Sequence, residues 1–364
     1  MKCNFDEIVD RYHTNALNTD GFRGYIFHDF EGKKVFPFKD DEFVRMWVAD
    51  MEFAMCPDIL QAIKDRVDKR IIGYSQVFEP SFYEAYNAWN EKMYGWTYPK
   101  EEICFSLGII PALYELVELL LTDHEYAIIN TPAYGYFQHP IDAKHKHAIH
   151  NKLVRDGEGH WSIDFDALEK DAANPMAKLL IWCNPQNPTG RVWTEEELKR
   201  VAAIVEKHNL WIISDEIHCD LALWNNRHIP FATVSEEAAE RSITFMAPTK
   251  TFNIAGLMSS FSIIPNGEIR RRFNSWLEVN ELNEPTLFAP IATIAAFRNG
   301  EEWRRQMLRY VEGNIDFVVD YCSRNIPQIK PLRPQASFLV WLDCRQLGLD
   351  HDSLLSLFVD KARL

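Results

Sequence analysis

Ser242-Ile-Thr-Phe-Met-Ala-Pro-Thr-Lys250-Thr-Phe-Asn-Ile-Ala-Gly256-Leu257 runs from a short apolar β-type segment into one lysine set among small and hydroxylated neighbours. Desolvation lowers the pKa of such an amine, and only the neutral form attacks a carbonyl carbon. Two upstream segments share the strand-then-polar-cluster form: Lys178-Leu-Leu-Ile-Trp-Cys-Asn-Pro-Gln-Asn187-Pro-Thr-Gly190 and Leu210-Trp-Ile-Ile-Ser-Asp215-Glu-Ile-His218. With Glu125-Tyr-Ala-Ile-Ile-Asn130 they make four short apolar runs, each bounded by Pro, Asn or Asp, which read as buried strands of a mostly parallel sheet. Thr194-Glu-Glu-Glu197-Leu198 between two of them is a capping-box signature, opening a helix with Val201, Ile204 and Val205 on one face. Strand, helix, strand in this order predicts right-handed crossovers and an α/β fold. In open sheets of this kind ligands collect beyond the carboxyl ends of the strands, where Tyr134, Asn187, Asp215 and Lys250 all fall.

The chain has 364 residues, 47% of them hydrophobic, enough for a large core and two domains. A formal charge of -14 argues against a nucleic-acid surface, and the one basic run, Arg270-Arg271-Arg272, reads as a solvated helix face. Seven cysteines without a C-x-x-C pair argue against a disulfide framework and fit a reducing cytoplasm. No apolar run reaches membrane-spanning length, Ile109 to Leu121 being broken by Glu115 and Glu118, and Met1 to Glu7 lacks the apolar core of a signal peptide. His139, His145, His147 and His150 lack the spacing of a zinc motif and are expected along a strand edge or loop, so no metal is expected.

The order and spacing of these motifs, together with Trp47-Val-Ala-Asp-Met-Glu-Phe53, Gly73-Tyr74-Ser75 and Phe338-Leu-Val-Trp-Leu-Asp343, resemble the pyridoxal-phosphate enzymes of the class I/II aminotransferase superfamily, fold type I. The narrower likeness is to the cystathionine β-lyase branch, the MalY/PatB-type C–S lyases. The resemblance implies a large domain over residues 50–290, with a mostly parallel seven-stranded sheet flanked by helices. Residues 1–49 and 291–364 would build a smaller α+β domain. It also implies pyridoxal 5'-phosphate as cofactor and a homodimer with shared active sites.

The resemblance assigns roles residue by residue. Lys250 is the expected anchor and proton-transfer base, Asp215 the partner of the pyridine nitrogen, and Asn187 and His218 neighbours of the phenolic oxygen. Tyr134 is expected to stack on the ring. Gly108, Ile109 and Ile110 fit a phosphate cradle at a helix start, Pro111 being tolerated in the first turn. Thr249 adds a hydroxyl, and Tyr74 is expected to reach the phosphate of the other subunit. Ala247 stands where many aminotransferases carry a phosphate-binding serine, and no arginine lies eight residues after Lys250. Trp47, Ala49 and Arg345 are expected on the substrate side. Relatives continue past the point where this sequence stops and hold the substrate carboxylate with an arginine there, so truncation is one expectation and substitution by Arg345 or Arg363 the other. The expected reaction is β-elimination from cystathionine or related S-substituted cysteines. Transamination of aromatic or other neutral amino acids stays open, as does a regulatory binding role on the same fold.

Overall fold

The computed structural model describes residues 3–75, 80–157 and 159–364. Its strands are β1 (Ile103–Ser106), β2 (Tyr126–Thr131), β3 (His147–Lys152), the short pair β4 (Val154–Arg155) and β5 (Trp161–Ser162), then β6 (Ala177–Cys183), β7 (Trp211–Asp215), β8 (Ser242–Met246) and β9 (Ser260–Ile263). A second short pair, β10 (Lys330–Leu332) and β11 (Trp341–Asp343), follows near the end of the chain. Seven strands form one sheet in the order β1-β9-β8-β7-β6-β2-β3. Neighbours are parallel from β8 to β3, while β9 runs antiparallel to both β8 and β1. The predicted α/β class, with a mostly parallel seven-stranded sheet and flanking helices, is what forms.

Burial on both faces explains why the central strands are continuous apolar runs. In β6, Leu179 and Ile181 pack with Ile213, Ile243 and Phe245 of neighbouring strands and with Leu113, Leu116 and Phe273 of the helices Ile109–Leu120 and Gly267–Val279. Leu180 and Trp182 face the other way, onto Leu168, Val201 and Val205 of the helices Phe165–Ala172 and Glu195–Lys207. The capping box closes as its spacing predicts: Glu197 N–H donates to Thr194 Oγ1 at 3.2 Å, and Thr194 N–H donates to Glu197 Oε2 at 2.8 Å.

A third core joins parts of the chain far apart in sequence. Phe105 of β1 and Phe261 of β9 pack against Ile59 and Tyr86 from the helices Pro57–Val67 and Pro80–Tyr94, and against Ala292 and Ala296 of Phe288–Asn299. The boundary expected near residue 290 therefore falls inside a helix whose buried face belongs to this shared core. A separate aromatic cluster, Phe22, Phe36 and Phe43 with Trp47, gathers the N-terminal segment. Of the four histidines expected along a strand edge or loop, His147 and His150 are on the edge strand β3 and His145 is in the turn before it, whereas His139 lies in the helix Gln138–Ala143. His147 stacks on Tyr126 and His150 Nε2 is 2.8 Å from Gln138 Oε1. Among the described residues no group of three or more His, Cys, Asp or Glu is placed to hold a metal ion. No described helix is long and apolar enough to cross a membrane.

Candidate active site

Five loops leave the sheet on one edge, after β1, β2, β6, β7 and β8, and each delivers a sequence-predicted residue. Lys250 follows β8 in a tight turn, where Phe252 N–H donates to Pro248 O at 2.9 Å and Ile254 N–H donates to the carbonyl of buried Thr249 at 3.0 Å. Its Nζ donates to Ala49 O at 3.0 Å. Burial lowers the pKa of this half-buried amine, an effect opposed by the charges of Asp50 and Asp215.

Asp215 closes β7 and is buried. Desolvation lifts its carboxyl to about 7, against the hydrogen bond that Oδ1 accepts from Ile217 N–H at 3.2 Å. A carboxylate in this setting is stabilised by a cationic donor, which is what a protonated pyridine nitrogen supplies. His218, three residues on, is pushed down to about 3, first by burial and then by the charge of Lys250, so its ring is neutral. Its Nδ1 is buried without a hydrogen-bond partner. An orphaned ring nitrogen beside a buried acid and a half-buried amine marks a place suited to a polar group from outside the chain.

The half-buried Asn187 is held in a loop stitched by Gln186, whose Oε1 accepts from Thr189 N–H at 2.9 Å and Thr189 Oγ1 at 2.6 Å. Gln186 Nε2 donates to Pro132 O at 2.7 Å, tying this loop to the one after β2 that carries Tyr134. The Tyr134 ring stacks on Tyr136 with centroids 5.2 Å apart, and the Tyr136 hydroxyl lies 3.3 Å from that of Tyr25. Gly190 ends the Asn187 loop at φ +72°, where a Cβ would stand 2.4 Å from Pro334 Cβ. Ala336 N–H donates to Gly190 O at 2.9 Å, so the chain near residue 335 seats against this loop.

After β1, Gly108 adopts φ +137° as the cap of the helix Ile109–Leu120. The first bond back is Ala112 N–H to Gly108 O at 3.3 Å, which leaves the Ile109 and Ile110 amides as first-turn donors, while Pro111 has none. Free first-turn amides are the donors that a helix start offers to an anion. Met258, eight residues after Lys250, covers this helix start, with Cε 3.3 Å from where a Gly108 Cβ would be.

Of Trp47, Ala49, Tyr74 and Arg345, Ala49 alone touches this cluster. Trp47 is committed to the N-terminal aromatic cluster: its indole stacks on Phe22 at 5.4 Å and its Nε1 donates to Asn18 O at 3.1 Å. Ala49 reaches the site through its carbonyl. Tyr74 is fully exposed on this chain. Arg345 is engaged elsewhere: its Nη2 donates to Asp343 Oδ2 at 2.8 Å, and it lines a surface groove with Arg155 and Lys330. Sequence reading missed the residues that brace the site. Asn253 clamps the Lys250 turn onto the N-terminal side by donating to Met51 O at 2.8 Å and Phe53 O at 2.7 Å. Behind Asp215, Glu216 is wholly buried and accepts from Ser214 Oγ at 2.8 Å and Phe231 N–H at 2.9 Å, with His228 Nε2 at 2.6 Å. Asn253 reaches two hundred residues back and Glu216 reaches forward to His228 and Phe231, so no local spacing announces them.

Known proteins resemble this chain in sequence and fold. The model of the family "Aminotransferase class I and II" matches residues 42–360. Cystathionine beta-lyase PatB of Bacillus subtilis (strain 168) is 36% identical over 319 residues, which are 88% of this chain and 82% of that protein. The structure of the PLP-bound C-S lyase from Staphylococcus hominis superposes with a TM-score of 0.89 at 37% identity, covering 100% of this chain and 88% of that one. Cystalysin from Treponema denticola, which contains a pyridoxal 5'-phosphate cofactor, superposes with a TM-score of 0.93 at 29% identity, covering 100% of this chain and 89% of that one. The lysine, aspartate and asparagine delivered by successive strand ends lie within a match that spans most of the sequence, and the chain belongs to the class I and II aminotransferase family.

Proposed function

We propose that this protein is a pyridoxal-phosphate-dependent carbon–sulfur β-lyase, which converts cystathionine or a related S-substituted L-cysteine, with water, to a thiol, pyruvate and ammonia. The observation that carries the reading is the Lys250 amine, desolvated at the end of β8 and within the field of buried Asp215. When bound, the cofactor supplies an aldehyde for amine exchange and an electron sink for the carbon that loses its proton.

The chain's own residues supply the rest. Lys250 anchors the cofactor and, once released, takes the substrate Cα proton; its lowered pKa favours the neutral form that both tasks need. Asp215 keeps the ring nitrogen protonated. Neutral His218 and Asn187 would hold the phenolic oxygen, and Tyr134 would support the ring. The Gly108, Ile109 and Ile110 amides with Thr249 receive the phosphate. Loss of a thiolate from Cβ then competes with reprotonation, and the likeness to PatB and to C–S lyases favours loss.

The working unit is a homodimer in which exposed Tyr74 reaches the phosphate of the other subunit, flanked by exposed Ile71 and Ile72. Seven unpaired cysteines favour a cytoplasmic setting. Ala49 is on the substrate side through its carbonyl, and Trp47 supports that turn from the aromatic cluster; Arg345 serves the site only if the β10–β11 segment rearranges.

Incubation with cystathionine and no keto acid tests the reaction. Continuous pyruvate release, abolished in Lys250→Ala, is expected. A single stoichiometric burst that needs a keto acid to continue would make the protein an aminotransferase instead.

A further inference from the structure

The residues nearest Lys250 from outside the sheet belong to the turn Trp47–Asp50, and that turn is held by the N-terminal segment. Arg11 Nη2 donates to Asp50 Oδ2 at 2.9 Å, and its Nη1 lies 3.5 Å from Glu52 Oε1. Arg11 is itself built in. Its carbonyl accepts from Thr14 Oγ1 at 2.6 Å and from Thr19 Oγ1 at 3.1 Å, and Asp20 accepts from Thr14 N–H at 2.9 Å and Asn15 N–H at 2.8 Å. Buried Asn18 donates to Glu52 Oε1 at 3.1 Å and accepts from Trp47 Nε1.

The turn so held is strained. Val48 sits at φ +59°, a left-handed conformation that a β-branched residue adopts only when its surroundings impose it. Its carbonyl accepts from Asp50 N–H at 2.7 Å, and the residue between them, Ala49, presents the oxygen that holds Lys250 Nζ. The charges whose fields reach Lys250 are Asp50, from this turn, and Asp215, from β7; neutral His218 lies on the same side as Asp215.

We propose that Arg11 is a positioning residue for the lysine amine: its ion pair with Asp50 fixes the strained turn that presents the Ala49 carbonyl, and it neutralises a carboxylate that would otherwise hold a proton on Lys250. The N-terminal segment, remote in sequence, thereby sets the protonation of the nitrogen that binds the cofactor. This rests on Lys250 being the cofactor anchor.

The sign of a charge distinguishes this role from simple bracing. In the holoenzyme, the visible band of the lysine-bound cofactor changes as the nitrogen at position 250 loses its proton, and the pH midpoint of that change is the readout. Arg11→Gln leaves Asp50 unpaired and should move the midpoint up by roughly half to one pH unit, the size expected of a partly screened neighbouring charge. Asp50→Asn should move it down, the double variant should return close to the parent, and Arg11→Lys, which keeps the charge, should stay near it. In Arg11→Gln, kcat at neutral pH should fall more than KM rises. Shifts in the same direction for both single variants, or none in either, overturn the proposal. So does an unfolded Arg11→Gln accompanied by an Asp50→Asn protein with the parent midpoint. A parent protein without a lysine-bound band would defeat the cofactor reading itself, a separate outcome.

Discussion

Asp215 and His218 are three residues apart, both buried, and burial moves them in opposite directions. The Asp215 carboxyl rises from 3.8 to about 7, and the His218 imidazole falls from 6.5 to about 3. Each displacement is worth roughly 4 kcal/mol of coupling between protonation and folding. For Asp215 the folded state binds the extra proton, so its contribution is fully present below 3.8 and is lost as pH rises through about 7. For His218 the unfolded state binds the extra proton, so its contribution is present above 6.5 and is lost as pH falls through about 3. In the cofactor-free protein the two slopes therefore oppose each other between about pH 4 and 6.5. Urea unfolding midpoints should be nearly flat there in the parent. They should decline with rising pH in His218→Gln and climb in Asp215→Asn; parallel profiles for all three would show that these groups are not buried as described. Under the proposed mechanism Asp215→Asn removes the charge that would hold the pyridine proton. An ion pair near 4 Å is worth about 4 kcal/mol at an effective dielectric of 20, so kcat should fall by roughly three orders of magnitude. Asp215 and Lys250 were legible because each closes an apolar run at a strand end. Arg11, Asn253 and Glu216 were not, because what matters about them is a partner elsewhere in the chain. Asn253 bonds to residues two hundred positions away.

Elements carry these residues, and the end of β1 is closely constrained. Gly108 at φ +137° has Pro111 Cδ at 3.2 Å and Met258 Cε at 3.3 Å from any Cβ placed there. Gly108→Ala must strain or shift the helix start that offers the Ile109 and Ile110 amides, a cost of about 1–3 kcal/mol. Titration of cofactor absorbance should show affinity reduced by roughly ten- to hundredfold with unchanged Lys250 chemistry. Unchanged affinity would remove the phosphate seat from this helix. The capping box at Thr194 and the strands β6, β7 and β8 were readable because their signals are local: side-chain spacing, apolar runs and turn residues. β1, β3 and β9 escaped the strand reading. β3, His147–Lys152, is polar along much of its length because it is an edge strand, and β9, Ser260–Ile263, buries serines at alternate positions. Trp47 was placed on the substrate side from its motif alone; its partner Phe22 in the aromatic cluster could be found only in the folded chain.

At the scale of the molecule, the N-terminal turn meets Lys250 and the segment near residue 335 meets the Asn187 loop, while Tyr74 is exposed. A proposed shared site makes a specific demand. Lys250→Ala and Tyr74→Phe should each be impaired alone. Mixed and allowed to exchange subunits, they should recover activity, because one site in each hybrid has Lys250 from one chain and Tyr74 from the other. If Tyr74 served its own chain, the mixture would give only the average of the two variants. The overall α/β architecture was legible from the alternation of strand and helix patterns. The shared core of Ile59, Tyr86, Phe261 and Ala296 was not, since it joins both ends of the chain around the sheet and blurs a boundary drawn near residue 290.

The account depends most on a covalent link between Lys250 and the cofactor. Borohydride reduction of the coloured holoprotein, followed by digestion and mass analysis, reads it directly. The reduced cofactor should be found on the peptide carrying Lys250 and nowhere in Lys250→Ala; an adduct on a different lysine, or none at all, contradicts the central claim.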